Sequence, residues 1–178
     1  VMKGRALKRQ ATTATPLPRG IGRGRELLKN LGFKLTDAQA RVVTEVLTDL
    51  EATVPMLRLV QGDVGSGKTI VAAFAAIRAA ENNCQTAIMA PTELLAEQHY
   101  LNFRTWLEPL GMTVTLLTGQ LTAAQQRERS ALIQSGETDI AIGTHALFQD
   151  KVEFQSLALV IVDEQHRFGV HQLSLIHI

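Results

Sequence analysis

A chain of 178 residues, 46% hydrophobic and 20% charged, carries enough apolar mass for one domain with a substantial core and has the balance of an ordinary globular protein. No apolar run is long enough for a bilayer helix, and nothing near Val1 resembles a signal peptide. The single cysteine, Cys84, excludes an internal disulfide, so the cytoplasm is the expected compartment and Cys84 an expected bystander.

The net charge of +1 hides an asymmetry. Residues 1–30 hold eight Lys or Arg against one acid, Glu26, which leaves 10 basic and 16 acidic residues elsewhere from totals of 18 and 17. With no clear periodicity and several Thr, Pro and Gly, 1–30 reads as a basic linker or arm. Such an arm can meet nucleic acid phosphates or simply be solvated, and charge alone does not separate the two. Thr36 then stands as an N-cap for a helix over 37–50, with Ala40, Val43, Val46, Leu47 and Leu50 at helical spacing.

From Leu57 onward short apolar runs alternate with longer amphipathic ones. Strands are predicted at 57–61, 86–90, 113–117, 140–143 and 157–162, and helices at 68–81, 93–107 and 122–135. That alternation predicts an α/β fold with a parallel sheet covered by helices on both faces. Ligands bind such sheets at the carboxyl ends of the strands, where every motif described next falls.

The strongest motif is Gly62-Asp63-Val64-Gly65-Ser66-Gly67-Lys68-Thr69. It follows an apolar strand and opens an alanine-rich helix, the context of a phosphate-binding loop. Its glycines let backbone N–H groups converge on anionic oxygens, Lys68 brings a charge to the β- and γ-phosphates, and the Thr69 hydroxyl suits Mg²⁺. The second motif is the apolar strand that ends in Asp163-Glu164. One carboxylate, Asp163, holds Mg²⁺ directly or through water, and Glu164 orients the attacking water. Together they predict a nucleotide site using ATP and Mg²⁺, with Lys68, Asp163 and Glu164 as its catalytic groups. Gln165 and His166, which follow directly, are candidates for coupling.

These blocks, with Phe33 to Gln39, Ala90 to His99, Gly143 to Leu147 and Asp163 to Val170 in that order, resemble the superfamily 2 helicases, and their wording is similar to the RecG-type DNA helicases. The resemblance covers about residues 30–172. A second, similar lobe belongs to the translocase of transcription-coupled repair; Ser66 and Gln165 favour the RecG type. The resemblance implies a RecA-like first motor lobe of an ATP-dependent helicase acting on branched DNA in repair and recombination. It implies that Gln39 contacts adenine and that Phe33 stacks near the base. It also implies that Pro91, Thr92 and Glu93, and later Gly143, Thr144 and His145, contact the DNA backbone, where hydroxyls and N–H groups bind phosphate without reading sequence. Thr118-Gly119 lies in a similar place and reads equally well as an ordinary turn.

Against the family pattern, the second RecA-like lobe, the wedge domain and the motif III strand are missing. The organisation expected is therefore an arm over 1–30, an incomplete lobe over 31–172 and a tail over 173–178 unlike the family, as in an incomplete reading frame. The stretch Thr13 to Arg19 approximates motif III but precedes the P-loop, so it cannot supply that strand. Loss of the strand predicts a gap between the P-loop strand and the Asp163 strand, or direct pairing of the two, with marginal stability as the result. Three readings stay open for these residues: half of a DNA motor, a nucleotide-dependent binding module, or a fragment without activity of its own.

Overall fold

The computed structural model describes residues 16–18, 20, 22–52, 57–59, 67–149, 151–163 and 174–177. The elements are α1 (Arg23–Asn30), α2 (Asp37–Leu50), β1 (Leu57–Leu59), α3 (Lys68–Glu81), β2 (Gln85–Met89), α4 (Glu93–Leu107), β3 (Val114–Leu117), α5 (Ala123–Ser135), β4 (Ile140–Gly143), β5 (Leu157–Val162) and β6 (Ser174–His177), with short 3₁₀ turns at Glu108–Leu110 and His145–Phe148. Every pairing is parallel, in the order β1-β6-β5-β2-β4-β3.

Local chemistry sets the boundaries. Thr36 accepts from the Gln39 N–H while the Gln39 side chain accepts from the Thr36 N–H, a capping box that starts α2. Thr122 and Gln125 do the same for α5, and Thr92 caps α4 through the Leu95 N–H. Gly111 and Gly136 take left-handed backbone just after the 3₁₀ turn and α5, where a Cβ would be strained.

The strands alternate as a doubly covered sheet requires. Ile88, Ile140, Ile142, Leu159 and Ile161 face the larger core with α1 to α4. Ala87, Met89, Ala141, Val160 and Val162 face a second core with Leu117, Leu147 and Ile133 of α5. Polar side chains that enter this interior are mostly paired, the buried Thr86 hydroxyl of β2 being without a partner among the described residues. The buried Gln85 donates to the Ile133 and Thr138 carbonyls and accepts from the Ser156 N–H, tying β2 to the elements on either side. Cys84 is buried beside this point as a free thiol.

Two expectations are corrected. The first concerns 1–30, whose described part is not a free arm. Leu17 is fully buried and its N–H donates to the Leu50 carbonyl. α1 packs on α3 with Leu27 inaccessible to solvent, and the Arg23 N–H donates to Glu81. One buried leucine on a helix of eight residues is too short a pattern for periodicity to register. Leu17, within the motif III-like stretch, is held against the ends of α2 and α3, far in topology from the sheet position that motif would need.

The second correction concerns the sheet. The expected gap is not there, nor do β1 and β5 pair. Ser174–His177, part of the tail that looked foreign, forms β6 between them and bonds to both. An adjacent apolar pair, Leu175-Ile176, suffices for that position, and Ile176 is fully buried there. The parallel α/β fold stands, and its centre is continuous.

Among the described residues no helix is long and apolar enough to cross a membrane.

Leu27→Ala is expected to cost about 2–5 kcal/mol in a denaturant titration, as for other fully buried leucines; a loss below about 1 kcal/mol would show that α1 is not part of the cooperative unit. Gly143→Ala is expected to cost about 1–3 kcal/mol by overpacking, since a Cβ there collides with the Leu117 carbonyl oxygen. An unchanged melt of that variant would remove the packing requirement.

Candidate nucleotide and nucleic acid site

The predicted nucleotide residues 62–66 and the acidic-block residues Glu164, Gln165 and His166 lie outside the described residues. What the structure does describe is the start of α3. Gly67 is its N-cap, at φ 83 and ψ 22, with no side-chain cap hydrogen bond. Lys68 and Thr69 open the first turn and remain part-exposed, while every residue from Ile70 to Ala80 is buried. An uncapped first turn leaves backbone donors for an external anion, at the positive end of the helix dipole.

Gln39 sits against this turn. A Cβ on Gly67 would collide with the Gln39 Nε2, so the amide and the glycine are in close approach. Gln39 thus has two duties: its Oε1 accepts from the Thr36 N–H and its Nε2 faces the loop. Phe33, three residues before the Thr36 cap, is 50% exposed, a large aromatic face turned to solvent rather than used in the core.

Asp163 follows β5 directly. Its N–H donates to the Met89 carbonyl of β2, which holds its main chain against the central strand. Its Oδ2 lies 2.6 Å from His99 Nε2 of α4, and the two side chains are only 14% and 10% exposed. Sequence reasoning assigned no role to His99. The pairing joins residues 64 apart, so no local signal could have found it.

β6 separates β1 from β5, so the P-loop strand and the Asp163 strand are two strand spacings apart, about 10 Å. Both point their carboxyl ends the same way. Among the described residues no cluster of three or more His, Cys, Asp or Glu forms a dedicated metal cage. A single carboxylate plus a Thr hydroxyl and phosphate oxygens is the donor set that Mg²⁺ accepts, because it keeps much of its water. These residues therefore fit the metal the sequence predicted.

The predicted DNA contacts gather on the same edge. The Ala90 N–H donates to the Gly143 carbonyl, joining the loop that carries Pro91, Thr92 and Glu93 to the one that carries Gly143, Thr144 and His145. Glu93 also closes on Gly119: a Cβ there would lie 3.4 Å from the Glu93 Oε1. Two members have structural duties that spacing did not reveal. Thr92 Oγ accepts from the Leu95 N–H, and Gly143 is required by its approach to the Leu117 carbonyl. Thr144 precedes the 3₁₀ turn without a side-chain cap bond, and His145 is exposed.

Comparison with known proteins shows the family and the fold. ATP-dependent DNA helicase RecG of Escherichia coli O157:H7 is 56% identical over 159 residues, covering 89% of this chain and 23% of that protein. The RecG of Pasteurella multocida is 54% identical over 163 residues, covering 92% and 24%. A solved structure of RecG bound to a three-way DNA junction superposes with a TM-score of 0.84 and 40% identity, over 98% of this chain and 25% of that one. The chain thus spans about a quarter of the length of these relatives. A hypothetical ATP-dependent RNA helicase from Sulfolobus tokodaii, at 24% identity and a TM-score of 0.61, shares the fold. The model of the DEAD/DEAH box helicases matches residues 36–176, and the chain belongs to that family.

Proposed function

We propose that this chain is the ATP-binding lobe of a RecG-type helicase, which couples ATP hydrolysis to movement along duplex DNA at branched structures. The observation that carries the proposal is the shared edge. The uncapped start of α3, the Gln39 amide and the Asp163 carboxylate stand at the carboxyl ends of the same parallel strands as the loops at 91–93 and 143–145. Family membership implies ATP use, and the relatives named RecG support DNA as the track.

In this reading the glycine loop and Lys68 hold the phosphates, and Gln39 meets the base with an amide that can donate and accept at once. Thr69 and Asp163 hold Mg²⁺, which when bound offsets charge on the phosphate oxygens. Glu164 orients the attacking water. Gln165 and His166, next in the chain, relay the state of the site to the DNA-facing loops. A second RecA-like lobe and a wedge domain are the partners that this half-site requires.

Titration with Mg-ATP by calorimetry should give binding that is lost in Lys68→Ala. Retention of binding in that variant would sink the nucleotide reading. Glu164→Gln should still bind Mg-ATP but lose DNA-stimulated hydrolysis. ATP binding indifferent to DNA would favour a nucleotide-dependent binding module over a motor. Arginines supplied from a second lobe contribute about 10³–10⁵ in related NTPases. The isolated chain should therefore hydrolyse ATP slower by about that factor than a two-lobed protein, and duplex separation by the chain alone would overturn the half-site reading.

A further inference from the structure

His99 occupies the second turn of α4, seven residues past the Thr92 cap, and is buried. An ionised carboxylate only accepts hydrogen bonds, so the 2.6 Å contact places the hydrogen on His99 Nε2, donating to Asp163 Oδ2. Among the described residues this is the hydrogen bond recorded to the Asp163 side chain. The main chain of Asp163 is already fixed through the Met89 carbonyl, so what remains free is rotation of the carboxylate. The imidazole stops that rotation.

We infer that His99 is a positioning residue for the metal carboxylate: it clamps Oδ2 of Asp163 and so orients the other oxygen toward Mg²⁺ of the bound nucleotide. The inference rests on the proposed reading of Asp163 as the magnesium ligand. It differs from a packing role in what it affects. A histidine that merely satisfied a buried acid would influence folding and nucleotide binding alike, with or without metal. A histidine that orients a ligand oxygen acts on metal affinity, and outer-shell partners of this kind are worth about 10–100-fold.

The test is calorimetric titration of the whole chain with ADP, in EDTA and across a series of Mg²⁺ concentrations. Wild type, His99→Leu, His99→Gln and Lys68→Ala are compared, each first checked for a cooperative melt. The expected result is equal ADP affinity for wild type and His99→Leu in EDTA, with the Mg²⁺ concentration for half-maximal enhancement raised about 10–100-fold in the Leu variant. His99→Gln, whose amide N–H can still reach the carboxylate, should recover most of that loss. An unchanged Mg²⁺ requirement in the Leu variant overturns the inference. So does an equal loss of ADP affinity with and without metal, or a Leu variant that fails to melt cooperatively beside a Gln variant with an unchanged Mg²⁺ requirement, which is the outcome of a packing role. Failure of the underlying site reading looks different: wild type and Lys68→Ala would then bind ADP alike, or not at all.

Discussion

A helix apolar on every side has to be buried on every side, and α3 is such a helix. Eleven consecutive residues, Ile70 to Ala80, are buried, six of them alanine. Small side chains let the helix lie close to the sheet on one face while α1 and α2 close over the other. Its one buried charge, Arg78, is paired with Glu51 at 3.1 Å and donates to the Leu17 carbonyl, so the exception to apolarity is also what binds the upstream segment down. A helix held on all sides cannot shift along its axis. Gly67, Lys68 and Thr69 at its first turn inherit that rigidity, and a phosphate site built there is pre-positioned by the core.

The sheet imposes the complementary constraint. The separation of Asp163 from the start of α3 is set by β6, which lies as a spacer between β1 and β5. β5 is in turn registered against β2 along Thr86 to Met89, with an irregularity confined to the Gln85 end. That irregularity lies at the opposite end of the strand from Asp163, so the carboxyl edge keeps its regular pairing. The Asp163 N–H bond to the Met89 carbonyl continues the ladder by one residue past the strand.

Much of this was legible in the chain. The helices at 37–50, 68–81 and 93–107 appear with the limits their periodicity and caps predict, and the strands at 140–143 and 157–162 likewise. These are elements whose signals are local: a Thr cap, an apolar run, a turn residue. The parts that escaped are non-local. Leu27 becomes core only because α3 needs a cover, and Ser174–His177 becomes a strand only because two other strands leave a place for it. Nothing within Leu173 to Ile178 distinguishes a filler strand from an unrelated tail. In the site, the expected glycine loop and Asp-Glu step rest on local spacing in the sequence, and residues 62–66 and Glu164 lie outside the described residues, whereas the His99–Asp163 pair depends on how α4 lies over the sheet.

The nucleic acid edge shows how structural duties narrow a set of functional candidates. Gly143 has no side chain to offer and is needed where it is by the Leu117 carbonyl, so any phosphate it meets would be met by backbone. Thr92 spends an oxygen lone pair on the Leu95 N–H, which leaves its hydroxyl hydrogen to donate outward. Glu93, an acid in the first turn of α4, favours the positive end of that helix and lies close to Gly119; it repels a phosphate rather than binding one. Among the described residues, the Thr92 and Thr144 hydroxyls and loop N–H groups are donors at this edge. Hydroxyl and N–H donors suit contact with a phosphate backbone without regard to sequence.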